Sequence, residues 1–112
     1  MGNFKNGIIR AGNSVGAGKV LGNIKNGIIK NGTLLGSGKS FGNVNNGIVK
    51  NGSSKGSGKA LFNVNGNVVK NGSSLGSGKT IGKVKDFNIR GMERELDAEI
   101  VAAYHFLLKK IL

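Results

Sequence analysis

A tandem repeat runs through most of the chain. Its copies begin 20 residues apart, at Gly2, Gly22, Gly42, Phe62 and Gly82. A unit this short cannot bury an apolar face by itself, so neighbouring copies must cover one another. The sequence therefore predicts a single domain, residues 1–112, in which residues 2–90 form packed β repeats and residues 91–112 form a different element.

Apolar residues recur at fixed positions of each copy, in runs short enough to predict strands. The first such column is Phe4, Ile24, Val44, Val64 and Val84. Pairs such as Asn26-Gly27 and Asn31-Gly32 separate the runs, and Asn-Gly between β-branched residues predicts a hairpin with a type I′ turn. A Gly-x-Gly element adds a third reversal. Each copy is thus predicted to contain three short strands, which in the fourth copy are Ala60–Asn65, Val68–Lys70 and residues 74–75.

Such copies can be arranged in two ways. In one, five β-meanders stand radially, like a miniature propeller. In the other, the copies coil into a β-solenoid, which turns at single residues and forms long parallel ladders. A solenoid would stack one asparagine per copy into a ladder, formed by Asn3, Asn23, Asn43 and Asn63. Because paired Asn-Gly turns favour hairpins, we expect a mostly β fold with five radial meanders and keep the solenoid as the alternative.

The residues after Arg90 have a helical pattern. Acidic residues crowd the first turns and Lys109 and Lys110 occupy the last, which complements the helix dipole. We therefore predict that residues 91–112 form one amphipathic helix. This helix either covers an open face of the β repeats or pairs with a second copy of the chain to give a homo-oligomer. Its apolar stripe, the candidate interface, consists of Met92, Leu96, Ile100, Ala103, Leu107 and Ile111.

The repeat unit also resembles a known family. The order Gly-Asn, Asn-Gly, Ile-Val-Lys, Asn-Gly and Gly-Ser-Gly-Lys in residues 42–59, with the final segment 82–91, resembles the five-fold β-flower proteins of gut bacteria. This resemblance implies radial β-meanders and no established activity. The turns of this chain contain almost no Asp, so the resemblance carries over no ligand. MORN repeats share the Gly-x-Gly element and are a weaker likeness, because their period is longer and they are richer in aromatic residues.

The repeats lack the side chains of ordinary catalysis. Residues 1–85 contain no Asp, Glu, His or Cys, which are the usual general acids, bases and nucleophile activators. His105 is the only histidine, so it has no histidine partner for a metal site. Residues 73–80 come close to a phosphate-binding loop, but the first glycine is misplaced and a strand follows instead of a helix. We predict no enzyme, no cofactor and no metal site.

Positive charge belongs to the repeats. The formal net charge is +12, and residues 1–85 hold thirteen Lys or Arg and no acidic residue. If the copies close around an axis, each basic column becomes a ring of cations that attracts anions. One observation argues against nucleic acid as the bound anion. The phenylalanines of the repeats fall mostly in apolar columns, where they would not stack on bases. The candidate anion-binding residues are Arg10, Lys30, Lys50, Lys70 and Arg90 in one column and Lys19, Lys39, Lys59 and Lys79 in another.

Two functions are compatible with this pattern, which does not identify a ligand. The first is a non-catalytic structural or interaction protein. The alternative is a polyanion-binding module for nucleic acid, an acidic glycan or an anionic lipid surface. The longest apolar run, between Ile100 and Leu108, is far shorter than the roughly 20 residues of a membrane span, so no span is predicted. We expect no signal peptide, since none is visible before the first copy, and we expect a cytoplasmic location.

Overall fold

Nine short strands form one antiparallel sheet in a computed structural model that describes residues 2–111. The strands lie in the sheet in chain order, and each is antiparallel to the next. They are β1 (Gly2–Lys5), β2 (Ile8–Ala11), β3 (Val20–Lys25), β4 (Ile28–Lys30), β5 (Ser40–Asn45), β6 (Ile48–Lys50), β7 (Ala60–Asn65), β8 (Val68–Lys70) and β9 (Thr80–Lys83). β1 and β9 are not paired with each other, so the sheet is not closed. The mostly β prediction is confirmed, and the solenoid alternative is wrong because its strand ladders would be parallel.

Each of the first four copies contains one hairpin, with the predicted turn. Asn26 and Gly27 have φ angles of 54° and 77°. Positive φ at both central positions is what a type I′ turn requires. The fourth copy reverses the order of the pair and still has positive φ at both positions. The other three turns are Asn6-Gly7, Asn46-Gly47 and Gly66-Asn67.

The third strand predicted in each copy is absent. A loop takes its place, and residues 74–75, predicted as strand, lie in a bend and turn. The second Asn-Gly pair is not a type I′ turn, because Gly32 does not have a positive φ. Instead, the Asn31 side chain accepts a hydrogen bond from the Lys39 N–H at 2.8 Å. Each of the first four copies is therefore one hairpin followed by a folded loop.

The fifth copy has no hairpin. After β9 the chain forms a 3₁₀ helix, Val84–Phe87, where the other copies have their turn. Arg90 then makes an isolated parallel bridge to β1: the Phe4 N–H donates to the Arg90 carbonyl at 2.8 Å, and the Arg90 N–H donates to the Gly2 carbonyl at 3.1 Å. The segment after the 3₁₀ helix thus connects the last copy to the first strand.

The C-terminal helix is shorter than predicted. α1 spans Asp97–Ala103 and continues into one π-helical turn, Tyr104–Leu108. Residues 91–96 contain turns and bends, and the chain is extended at Lys109. The prediction of one helix over residues 91–112 is therefore wrong at both ends, and Leu112 lies outside the described residues.

From Ile100 to Ala103, α1 is buried on all sides and not along one stripe. Four consecutive residues, Ile100, Val101, Ala102 and Ala103, are buried, as is Ala98. Successive residues of a helix point about 100° apart, so their burial requires neighbours all round. These residues belong to the core, so the helix packs against the β repeats.

The core has one equivalent side chain from every copy at its centre. The second residue of each apolar pair is 0% exposed: Ile9, Ile29, Val49, Val69 and Ile89. Burying one such side chain contributes about 1.5–3 kcal/mol. Ile89 keeps this place although the fifth copy has lost its hairpin, so the fifth copy remains part of the core.

Candidate functional site

The π-helical turn places one side chain against each of the first four copies. A Cβ added to Gly22 would lie 2.7 Å from Leu107, and one added to Gly2 would lie 2.9 Å from Leu108. Phe106 covers Gly42 in the same way. In the fourth copy Phe62 replaces glycine. Its ring packs edge-on against the His105 ring, with 5.3 Å between the two ring centroids. Glycine at the first position of a copy therefore makes room for the C-terminal segment.

The sheet has two different ends. We call the end with the four hairpin turns the turn end, and the opposite end, where β3, β5, β7 and β9 begin, the entry end. Helix α1 starts near the turn end, because Leu96 and Ala98 line a groove with Asn46 and Gly47. Lys110 lines a pocket with Asn51, in a loop of the entry end. The helical segment therefore runs from the turn end to the entry end.

Four exposed lysines, which we call the outer lysines, occupy equivalent places at the entry end. Each immediately precedes a strand. In three of the copies the backbone N–H of this lysine donates to an asparagine side chain at 2.8 Å, which fixes the backbone while the lysine side chain stays in solvent. The outer lysines are Lys19, Lys39, Lys59 and Lys79.

The other predicted basic column, which contains Arg10 and Lys30, contacts the loops. Lys30 Nζ donates to the Gly36 carbonyl at 3.2 Å, and Lys50 Nζ donates to the Gly56 carbonyl at 3.3 Å. Lys70 and Arg10 make the corresponding bonds to their own loops. Arg90 is exposed and is held by its backbone bonds to β1. These cations bond to loop carbonyls, whereas the side chains of the outer lysines stay in solvent, so the two columns are not equivalent.

The acidic residues lie toward the other end. Asp97 and Glu99 line the groove beside the Asn46-Gly47 turn, and Asp86 accepts from the Lys83 N–H where the fifth turn would be. Burial raises the pKa of Glu99, and the nearby charge of Glu95 raises it further. Since residues 1–85 contain no acid, the entry-end loops carry positive side chains alone, whereas the turn end carries both signs.

Buried asparagines hold the loops, a role that sequence reasoning missed. Asn23 Nδ2 donates to the carbonyls of Gly32 and Ser37, both at 3.1 Å, and Asn23 Oδ1 accepts from the Gly36 N–H at 2.9 Å. Asn3, Asn43 and Asn63 do the same in their copies, and all four are 0% exposed. The sequence contains a signal for this role, because the asparagine occurs only in the copies that have the loop. The fifth copy has no such loop, and its residue at this position is Lys83.

A pocket of about 450 Å³ lies at the entry end. Its apolar lining comes from Phe41, Leu61 and Phe106, and its polar lining from Asn51, His105 and Lys110. His105 is buried, and its Nδ1 accepts the Ile111 N–H at 3.1 Å. Burial lowers the pKa of His105, and the charge of Lys110 lowers it further, so both favour the neutral imidazole. The prediction that placed Phe41 among the apolar columns did not anticipate this surface.

The predicted apolar stripe is divided by the structure. Met92, Ile100 and Ala103 are buried in the core, and Leu107 and Ile111 are half-buried. Leu96 is 69% exposed. Leu96 therefore does not contribute to the core, because the helix begins only after it.

Comparisons with known proteins find no relative. No model of a known protein family, no curated protein and no solved structure matches the chain. The resemblance to β-flower proteins therefore stays a prediction. Among residues 2–111, no helix is long and apolar enough to cross a bilayer. The same part of the chain has no group of three or more His, Cys, Asp or Glu side chains that could hold a metal.

Proposed function

We propose that the protein is a non-catalytic interaction protein and that it binds a polyanion through its entry end. The observation that carries this proposal is the separation of charge between the two ends of the sheet. The outer lysines, Lys109 and Lys110 are exposed at one end, whereas the carboxylates lie toward the other. A surface of one sign attracts a linear anion over a distance and releases its counterions on contact.

The arrangement of the copies supports the same proposal. We place the five copies radially around α1, since the residues of its π-helical turn each contact a different copy. In this arrangement the outer lysines surround the C-terminal segment and its two lysines. A polyanion crossing the entry end would then meet cations along its whole path. Binding instead of catalysis is supported by the composition of residues 1–85, which lack Asp, Glu, His and Cys.

The test changes all four outer lysines to glutamine. The variant keeps the loop hydrogen bonds, because those use the lysine backbone. We expect its affinity for duplex DNA and heparin to fall steeply. The slope of log K against log salt for DNA is expected to fall by up to about 0.9 per lysine removed. Fluorescence anisotropy at low and near-physiological salt measures both quantities.

A matched control removes the same charge at the turn end. Lys5, Lys25, Lys55 and Lys85 are also exposed, and changing them to glutamine lowers the net charge by the same amount. We expect this variant to retain most of the affinity. Equal losses in the two variants would show that binding follows net charge and not the entry end. If the unmodified protein binds no polyanion at near-physiological salt, the proposed function is wrong.

A further inference from the structure

We propose that the pocket at the entry end takes one base of a single-stranded nucleic acid. This inference rests on the proposed function and names the polyanion. Among the surfaces of the entry end, this pocket combines apolar walls with adjacent cations. Its volume, about 450 Å³, lies in the range of small-ligand sites.

The walls of the pocket suit a flat ring. Phe41 and Phe106 both line it, and both are only half-buried in the protein. A base leaving water can therefore cover aromatic surface that the fold leaves exposed. Stacking of a base on an aromatic side chain contributes about 1–3 kcal/mol and depends little on base identity. The other copies have Leu21, Leu61 and Ile81 at the position of Phe41, so the aromatic wall occurs once.

The edges of the pocket suit the rest of a nucleotide. Lys110 and Asn51 are part of the lining of the pocket. The backbone N–H of Lys59 donates to the Asn51 side chain at 2.8 Å, which holds Lys59 beside the pocket. These two lysines can contact the phosphates before and after the inserted base. The side-chain amide of Asn51 supplies polar groups for the base edge. Together these residues match a single strand, whose bases are free to leave their stack.

Other polyanions match the pocket less well. A sulfated glycan and a lipid headgroup present anionic groups without a flat aromatic ring, so both would use the lysines and leave the phenylalanines in water. Duplex DNA keeps its bases stacked inside the helix. The pocket therefore favours a single strand over each of these ligands, while the outer lysines attract them all.

The test compares two oligomers that differ only in their bases. One is a fluorescein-labelled oligothymidylate, and the other is the abasic oligomer of the same length and charge. We expect the unmodified protein to bind the oligothymidylate at least about fivefold more tightly, as one stacked base predicts. The Phe41→Leu variant is expected to bind the two oligomers with nearly equal affinity. Leucine stands at this position in the first and third copies, as Leu21 and Leu61, so the fold accepts it.

Phe41→Tyr is the matched control, because it keeps the flat ring and is expected to retain the preference for bases. If the unmodified protein binds both oligomers equally, or if Phe41→Leu weakens both to the same extent, the base-binding inference is wrong while the proposed function stands. Binding of heparin or anionic vesicles without binding of the oligothymidylate also overturns it. Binding of none of these ligands overturns the proposed function as well.

Discussion

At the scale of single residues, the buried asparagine of each copy is the side chain on which its loop depends. Asn63 donates to the carbonyls of Gly72 and Ser77 and accepts from the Gly76 N–H, at 3.0, 3.1 and 2.9 Å. No other residue type combines a short side chain with two donors and an acceptor in this geometry. A buried polar group that loses its partner costs about 1–3 kcal/mol, so the position tolerates little change.

We predict that Asn63→Ala lowers the free energy of unfolding by about 2–3 kcal/mol, because it leaves loop groups without their partner. Urea unfolding measures this change. Hydrogen exchange at the Gly76 amide should also become faster.

Asn65→Ala provides the control, since Asn65 lies two residues further along the same strand and is exposed. Its effect should stay within about 0.5 kcal/mol. Similar losses at the two positions would contradict the role that we assign to Asn63.

At the scale of elements, α1 begins without a side-chain cap. Its N-cap residue, Leu96, makes no capping hydrogen bond and is exposed. The Glu99 side chain already accepts a hydrogen bond from the Leu96 backbone. This is one half of a capping box, in which a serine or threonine at the N-cap and a glutamate three residues later bond to each other's backbone.

We predict that Leu96→Ser completes the capping box and raises the free energy of unfolding by about 0.5–1 kcal/mol. Thermal and urea unfolding measure the gain. Leu96→Ala removes the same apolar side chain without adding a cap, so it isolates the effect of the hydroxyl. A serine variant no more stable than the alanine variant would argue against the cap.

The elements show which features a sequence can predict. The Asn26-Gly27 hairpin follows from local backbone preferences, so its turn was predictable. Asn31-Gly32 is the same dipeptide, but its conformation depends on hydrogen bonds to Lys39 and Asn23, which lie eight and nine residues away and not beside it in the chain. The prediction of an apolar stripe on the helix failed for a different reason. Ile100, Val101, Ala102 and Ala103 form a continuous apolar run, and such a run indicates burial on all sides more strongly than it indicates a stripe.

The candidate site was predictable in part. The equal spacing of Lys39 and Lys59 marked a repeated basic position. It could not separate this exposed column from the column of Lys30, whose amine bonds to its own loop. The pocket was beyond sequence reasoning, because it brings Phe41 together with Phe106 across 65 residues of chain. Such a contact depends on where the C-terminal segment docks.

At the scale of the whole molecule, the C-terminal segment contacts four of the copies, and we expect it to make them one cooperative unit. In linear repeat proteins each repeat contacts only its neighbours, and stability is close to a sum over repeats. Here α1 and its π-helical turn pack against strands of several copies at once. Removing them would expose the centre of the core, including Val49 and Val69.

We therefore predict that a chain ending at Arg90 loses cooperative unfolding altogether, instead of losing only one element. Circular dichroism should show a broad thermal transition, and a dye that binds exposed apolar surface should become fluorescent. Adding residues 91–112 as a separate peptide is expected to restore a sharp transition. A truncated chain that still unfolds sharply would show that the copies are stable without the helix.

The match between residues 105–108 and the first four copies also affects how the gene can change. Unequal recombination readily adds or removes a unit in an open-ended repeat array, because a new unit finds a place at the end of the stack. In this chain an additional unit would find no side chain of the C-terminal segment to cover it, and a lost unit would leave one of those side chains uncovered. We therefore expect the C-terminal segment to restrict the number of units, so that single substitutions within units are the changes that remain open to selection.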